Sequence, residues 1–249
     1  MTRRKRIILF SLLGTFIAVI LALALSLVIG VSVYLGTYYH ADDIAVDAYI
    51  ENSQVQMVEI ERGVTAFLPK SPKAGFIFYP GGKVEVDSYY PLMCALAKND
   101  ILAVSVKMPF NLAVFDINAA KGIKDHFPEI TSWYIGGHSL GGSMSASFLD
   151  KNREDFDGLI LLGSYSTVDF SDTSLSVLSI YGENDMIMNR EKYEKYKPNL
   201  PSPTEHIIKG GNHAGFGMYG PQKGDVTLDI SKEAQIKETA DIISAFIDN

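Results

Sequence analysis

Three stretches of this sequence each carry a residue type used in nucleophilic catalysis directly after an apolar run. In the first, Gly137-x-Ser139-x-Gly141 brackets a serine with glycines, after the apolar Trp133-Tyr134-Ile135 and before a helix-like run from Leu140 to Asp150 that is rich in small residues. A serine on a sharp strand-to-helix turn needs neighbours without side chains, because strand and helix approach too closely there for a Cβ. Its hydroxyl is a weak nucleophile at neutral pH and requires a base, itself oriented by a carboxylate. Downstream, Val177 to Tyr181 leads into Gly182-Glu183-Asn184-Asp185, and the run ending at Ile208 leads into Lys209-Gly210-Gly211-Asn212-His213. Serine, acid and histidine in that order, each on a loop after a strand, make Ser139 the expected nucleophile, Asp185 the acid and His213 the base of an acyl transfer.

Acyl transfer also needs donors for the oxygen that becomes negative in the transition state. The N–H of Leu140 opens the helix after the serine, and the second donor is expected from Pro80-Gly81-Gly82-Lys83, with Gly82 first and Lys83 second. Glu183 and Asp169 are alternative acids. His138 flanks the serine and points away from its groove, His206 lies inside a strand, and His126 ends a helical pattern. Five scattered histidines and one cysteine lack zinc-ligand spacing, so no metal or cofactor is expected. Gly81-Gly82 lacks the spacing of a phosphate-binding loop.

These residues need a scaffold that delivers several loops to one edge. The sequence predicts paired strands at 54–61 and 64–68, then strands at 74–79, 101–106, 132–136, 158–162, 177–181 and 204–208. Helices are expected at 89–98, 112–126, 140–150 and 190–196, and a final amphipathic one at about 232–247. This alternation implies an α/β fold whose mostly parallel sheet is covered on both faces and carries the chemistry at its carboxyl edge.

Ahead of that body, residues 7–35 contain no charged side chain, a run longer than the ~20 residues that cross a bilayer. A basic start at 1–6 and acidic residues from Asp42 onward orient it with the body outside the cytoplasm, and 36–53 reads as a tether with one helical turn or two around Ile44 to Tyr49. The alternative is a signal peptide cut after Ala22-Leu23-Ala24. The chain has 249 residues, one domain's worth after the apolar helix, and a net charge of −7 despite four basic residues at 3–6. An acidic body argues against nucleic acid as a partner. The single cysteine, Cys94, excludes an internal disulfide and reads as a buried thiol.

Five segments in order, FYPGGKVE, KMPFNLAVF, GGHSLGG, YGENDMI and GGNHAGFGMYGPQKGD, resemble the α/β-hydrolase superfamily from about residue 54 to the end. They are most similar to the bacterial group often called α/β-hydrolase family 5. The resemblance implies an α/β-hydrolase fold, the same Ser139, Asp185 and His213, and oxyanion glycines in Pro80-Gly81-Gly82; Gly215 departs from it, where the group carries a polar side chain. It implies little about substrate; together, the expected triad and the apolar run at 7–35 point to a membrane-anchored serine hydrolase acting outside the cytoplasm on a small or envelope-derived ester, lactone or thioester. The alternative is a silent binding module that keeps the fold. Many members of the superfamily insert a helical cap after the sixth strand. Residues 163–176 are too few for one, so an open pocket walled by Phe110, Tyr165 and Phe216 is expected.

Overall fold

The apolar runs become eight strands and six α-helices among the residues described by the computed structural model, 3–249. Of the basic start expected at 1–6, residues 1 and 2 lie outside the described residues. Helix α1 spans Arg3–Gly36, and α2 spans Asp43–Ser53. Then follow β1 (Gln56–Glu61), β2 (Val64–Leu68), β3 (Ala74–Tyr79), α3 (Tyr90–Lys98), β4 (Ile101–Val106), β5 (Trp133–His138) and α4 (Leu140–Leu149). Last come β6 (Gly158–Leu162), β7 (Ser176–Gly182), α5 (Arg190–Tyr196), β8 (Thr204–Ile208) and α6 (Lys232–Ile247).

The chain divides into two units, residues 1–38 and Tyr39–Asn249. In the first, Leu12–Gly36 is long and apolar enough to cross a bilayer, a property shared by signal anchors and signal peptides.

In the second unit the strands form one sheet in the order β1-β2-β4-β3-β5-β6-β7-β8. Only β1 and β2 run antiparallel to their neighbours; β4, β3, β5, β6, β7 and β8 are parallel. The chain passes from β3 to β4 on one side and then crosses back to β5 on the other side of β3, and the crevice at such a switch point is where ligands bind in open sheets. Every residue of β3 is buried, because helices cover both faces of the sheet. Phe76 and Phe78 pack into one core layer with α3 and α6, while Ile77 and Tyr79 pack into the other with α4. Cys94 of α3 lies in the first layer, fully buried, and burial pushes its thiol up.

Two stretches differ from the sequence reading. Residues 112–126, expected to be helical, hold only short 3-10 turns at Ala113–Phe115 and Ile123–His126. Gly122 takes φ +84°, and the Tyr79 hydroxyl holds the loop in another shape by donating to Ile117 C=O (2.8 Å) and accepting from Ala120 N–H (2.8 Å). In the segment read as a tether, the one or two expected helical turns extend into α2, which packs on the body. Asp42 caps it, accepting from Ala45 N–H at 3.2 Å, and Val46 is buried in the first core layer beside Tyr49 and Ile50. The body therefore begins at Tyr39 rather than at residue 54.

Candidate active site

β3 and β5 lie side by side, with Tyr79 opposite Gly137, so the loop after one strand meets the turn after the other. Ser139 occupies that turn at φ +51° and ψ −120°, a conformation that side-chain residues rarely adopt. The flanking glycines are needed for close approach: a Cβ on Gly137 would come 2.3 Å from the Tyr79 carbonyl oxygen, and one on Gly141 2.2 Å. Ser139 N–H donates to Leu162 C=O at 2.9 Å, and Ser164 Oγ donates to the Ser139 carbonyl at 2.6 Å, so β6 and its loop hold the turn from the other side.

Asp185 and His213 come from the loops after β7 and β8. Asp185 Oδ2 lies 2.8 Å from His213 Nδ1, and both side chains are buried. The other carboxylate oxygen, Oδ1, accepts from Ile187 N–H (2.9 Å) and Met188 N–H (2.8 Å), which fixes the carboxylate plane. Gly163, at φ +51°, passes so close that a Cβ there would sit 3.0 Å from both Asp185 Oδ2 and His213 Nδ1. His213 Nε2 is buried with no hydrogen-bond partner among the described residues, so the bond to Ser139 Oγ is not formed here. Such contacts are often long before substrate binds.

The alternative acids lie elsewhere. Glu183 is exposed and accepts from Gly210 N–H at 3.0 Å, while Asp169 is exposed and bonded to Ser171. His126 and His206 pair with Glu61 and Glu238, each at 2.7 Å.

Among the donors, Gly81 N–H is used by the Tyr89 hydroxyl (3.2 Å) and Lys83 N–H by Asn111 C=O (2.7 Å). The N–H groups of Gly82 and Leu140 have no protein acceptor among the described residues. The two residues are neighbours, since a Cβ on Gly82 would meet Leu140 Cδ2 at 2.9 Å.

Sequence reasoning passed over His138. It is fully buried, its ring 4.4 Å from that of His213, and its Nδ1 shares a 2.8 Å hydrogen bond with the Tyr89 hydroxyl. Burial first, and the neighbouring His213 second, hold it well below the ordinary imidazole range, so it stays neutral. Burial likewise pushes the Tyr89 phenol up, keeping it protonated. No motif announces this pair, because a histidine beside the serine is a spacing accident until Tyr89 faces it.

Of the expected pocket walls, only Tyr165 lines the depression at Ser139. That depression, about 240 Å³, is bounded also by Leu140, Ser143, Ile187 and Met188. Phe216 is instead fully buried, packed against the His138 ring at 5.3 Å, because the turn after His213 folds inward onto the core. Phe110 is 56% exposed and stacks edge-on with Phe115 at 5.6 Å, outside that depression.

A family model described as the alpha/beta hydrolase family matches residues 75–237. Among solved structures, the chain is similar to an esterase from the hyperthermophilic archaeon Pyrobaculum calidifontis, with 16% identity and a TM-score of 0.58 over 82% of this chain and 90% of that one. It is also similar to Est1E from Butyrivibrio proteoclasticus, with 12% identity and a TM-score of 0.57 over 78% and 99%. A third match is a protein described as a predicted CIB-like hydrolase from Thermoplasma acidophilum, with 14% identity and a TM-score of 0.54 over 77% and 98%. No curated protein matches the sequence.

Proposed function

The chain belongs to the alpha/beta hydrolase family, and from that premise we propose that it is a membrane-anchored serine hydrolase cleaving a carboxylic ester, lactone or thioester outside the cytoplasm. One observation carries the reading: a buried Asp185–His213 pair at 2.8 Å beside a serine held in a strained elbow. Ser139 Oγ attacks the carbonyl carbon while His213 Nε2 takes its proton, and Asp185 holds the ring and stabilises the imidazolium. The carbonyl oxygen gains the electron pair and is met by Leu140 N–H and Gly82 N–H, the second chosen because Gly81 and Lys83 already use theirs. As the tetrahedral intermediate collapses, His213 returns the proton to the leaving alcohol or thiol. Water, activated by the same histidine, then releases the acid from the acyl-serine.

The depression of about 240 Å³ is smaller than the roughly 300–1,000 Å³ of sites that enclose drug-sized ligands, and residues 163–175 carry no helix above it. This supports short acyl groups or the exposed end of a larger envelope molecule as substrate. The 25 residues of apolar Leu12–Gly36 exceed the roughly 7–15 of a signal peptide's apolar core, which favours a signal anchor, cytoplasmic at residues 1–6, over a cleaved signal peptide.

A fluorophosphonate probe tests the chemistry directly, since it labels only an activated serine. Wild-type protein should label and Ser139→Ala should not. A folded wild-type protein that fails to label would point instead to a binding module that has kept the fold.

A further inference from the structure

The four residues that open the body, Tyr39-His40-Ala41-Asp42, bear no sequence signature of function, yet they are bonded to two loops of the candidate site. Tyr39 N–H donates to Lys83 C=O (2.7 Å), and Glu85 N–H donates to Tyr39 C=O (3.0 Å). Ala41 N–H donates to Glu85 Oε2 at 3.1 Å. Asp42 N–H donates to Met218 C=O (2.8 Å), five residues after His213. The Tyr39 hydroxyl accepts from Lys223 N–H at 3.1 Å, and its ring lies 6.0 Å from the buried Tyr219 ring. One short segment thus bridges the loop after β3 and the loop after β8.

The bridge bears on a strained residue. Lys83 has φ +63°, which a residue with a side chain holds only where its surroundings impose it. Asn111 grips its N–H and Tyr39 grips its C=O, so the strain is held from both sides. Gly82, whose N–H is the candidate oxyanion donor, immediately precedes it.

We propose that Tyr39–Asp42 is a positioning strap, which sets the direction of the Gly82 N–H by holding Lys83 and fixes the distance between the oxyanion loop and the histidine loop. The chain directly after α1 is then part of the working site, ahead of the region matched by the family model. The strap acts through Gly82 and touches no reacting atom. This role rests on the serine-hydrolase reading above.

The test uses the full chain in detergent micelles. Tyr39→Pro deletes the N–H bonded to Lys83, Glu85→Ala deletes the acceptor of Ala41 N–H, and Glu85→Gln keeps an acceptor oxygen. Each is assayed on p-nitrophenyl acetate and on its thiono analogue, whose sulfur gains little from N–H donors aimed at an oxyanion. Thermal unfolding and amide hydrogen exchange of residues 83–85 are followed in parallel. Tyr39→Pro should lower kcat on the ester by on the order of ten- to a hundredfold with KM nearly unchanged, and should lower the oxygen-to-sulfur rate ratio in step. Glu85→Ala should lose less, Glu85→Gln should recover most of that loss, and residues 83–85 should exchange faster in Tyr39→Pro. Unchanged kcat, or a fall that tracks lost folding at a constant oxygen-to-sulfur ratio, would overturn the strap. If the wild type neither labels nor hydrolyses, the hydrolase reading fails and exchange alone decides: faster exchange at 83–85 in Tyr39→Pro supports the bridge, and unchanged exchange refutes it.

Discussion

Ser139 is half-exposed on its turn, so removing its hydroxyl costs little packing and should cost nearly all the chemistry. Ser139→Ala and His213→Ala should each lower kcat/KM on p-nitrophenyl esters by at least about a thousandfold, and the double variant little further, since the two act as a unit. Either variant retaining a tenth of wild-type kcat/KM would contradict the assignment. Asp185→Asn should lower it by orders of magnitude through the wrong histidine tautomer, whereas exposed Glu183→Gln should leave it near wild type. His138 gives a different prediction. Its folded-state affinity for protons is depressed, so on acidification the unfolded chain takes up a proton that the folded one refuses. The stability contributed by neutral His138 is complete above its unfolded value of about 6.5 and declines below it, by up to ~1.4 kcal/mol per pH unit. Urea unfolding between pH 7.5 and pH 5 should show that slope, and His138→Gln should flatten it; an equal slope in the variant would refute the idea. The sequence singles out Ser139, Asp185 and His213 because each sits where an apolar strand breaks into glycines. The inward turn of Phe216 is not legible there, since an aromatic after the candidate histidine looks the same in a string whether it turns to the rim or to the core.

The same contrast holds for elements. Five of the six parallel-paired strands are buried along all or nearly all of their length and read as apolar runs, while the edge strand β8 is largely exposed; β3, β4, β6 and β8 have the bounds the sequence predicts. Residues 112–126 were legible as apolar and polar alternation but not as a loop, because what shapes them is a hydroxyl on β3, some forty residues earlier. Tyr79→Phe isolates that cause. It deletes two hydrogen bonds, each worth about 1 kcal/mol net, in a core layer that otherwise keeps its ring. For a body of this size the loss should lower Tm by roughly 4–8 °C with the far-ultraviolet circular dichroism unchanged. An unaltered Tm would mean that the loop is held by its packing alone. The strap left no trace in the sequence for a related reason: most of its bonds join main-chain groups, which every residue type carries.

For the molecule as a whole, the proposed site is shallow, which should set the substrate range. A buried methylene contributes about 0.8 kcal/mol, and only where apolar surface surrounds it, which a depression of about 240 Å³ cannot provide for a long chain. Across p-nitrophenyl esters, kcat/KM should therefore peak at roughly C2 to C6 acyl groups. A steady rise beyond C10 with detergent-dispersed esters would show that another surface supplies the missing wall. The body's start at Tyr39 has a mechanical consequence as well. With the amino end held by the proposed anchor, tension arriving through Thr37 and Tyr38 would pass into the bonds of Tyr39 with Lys83 and Glu85. Every strand of the sheet lies beyond them, after α2. Stretched from the proposed anchor, the chain would peel from the candidate oxyanion loop while the sheet stayed whole, so that a pull too weak to unfold the protein would still switch off the proposed chemistry.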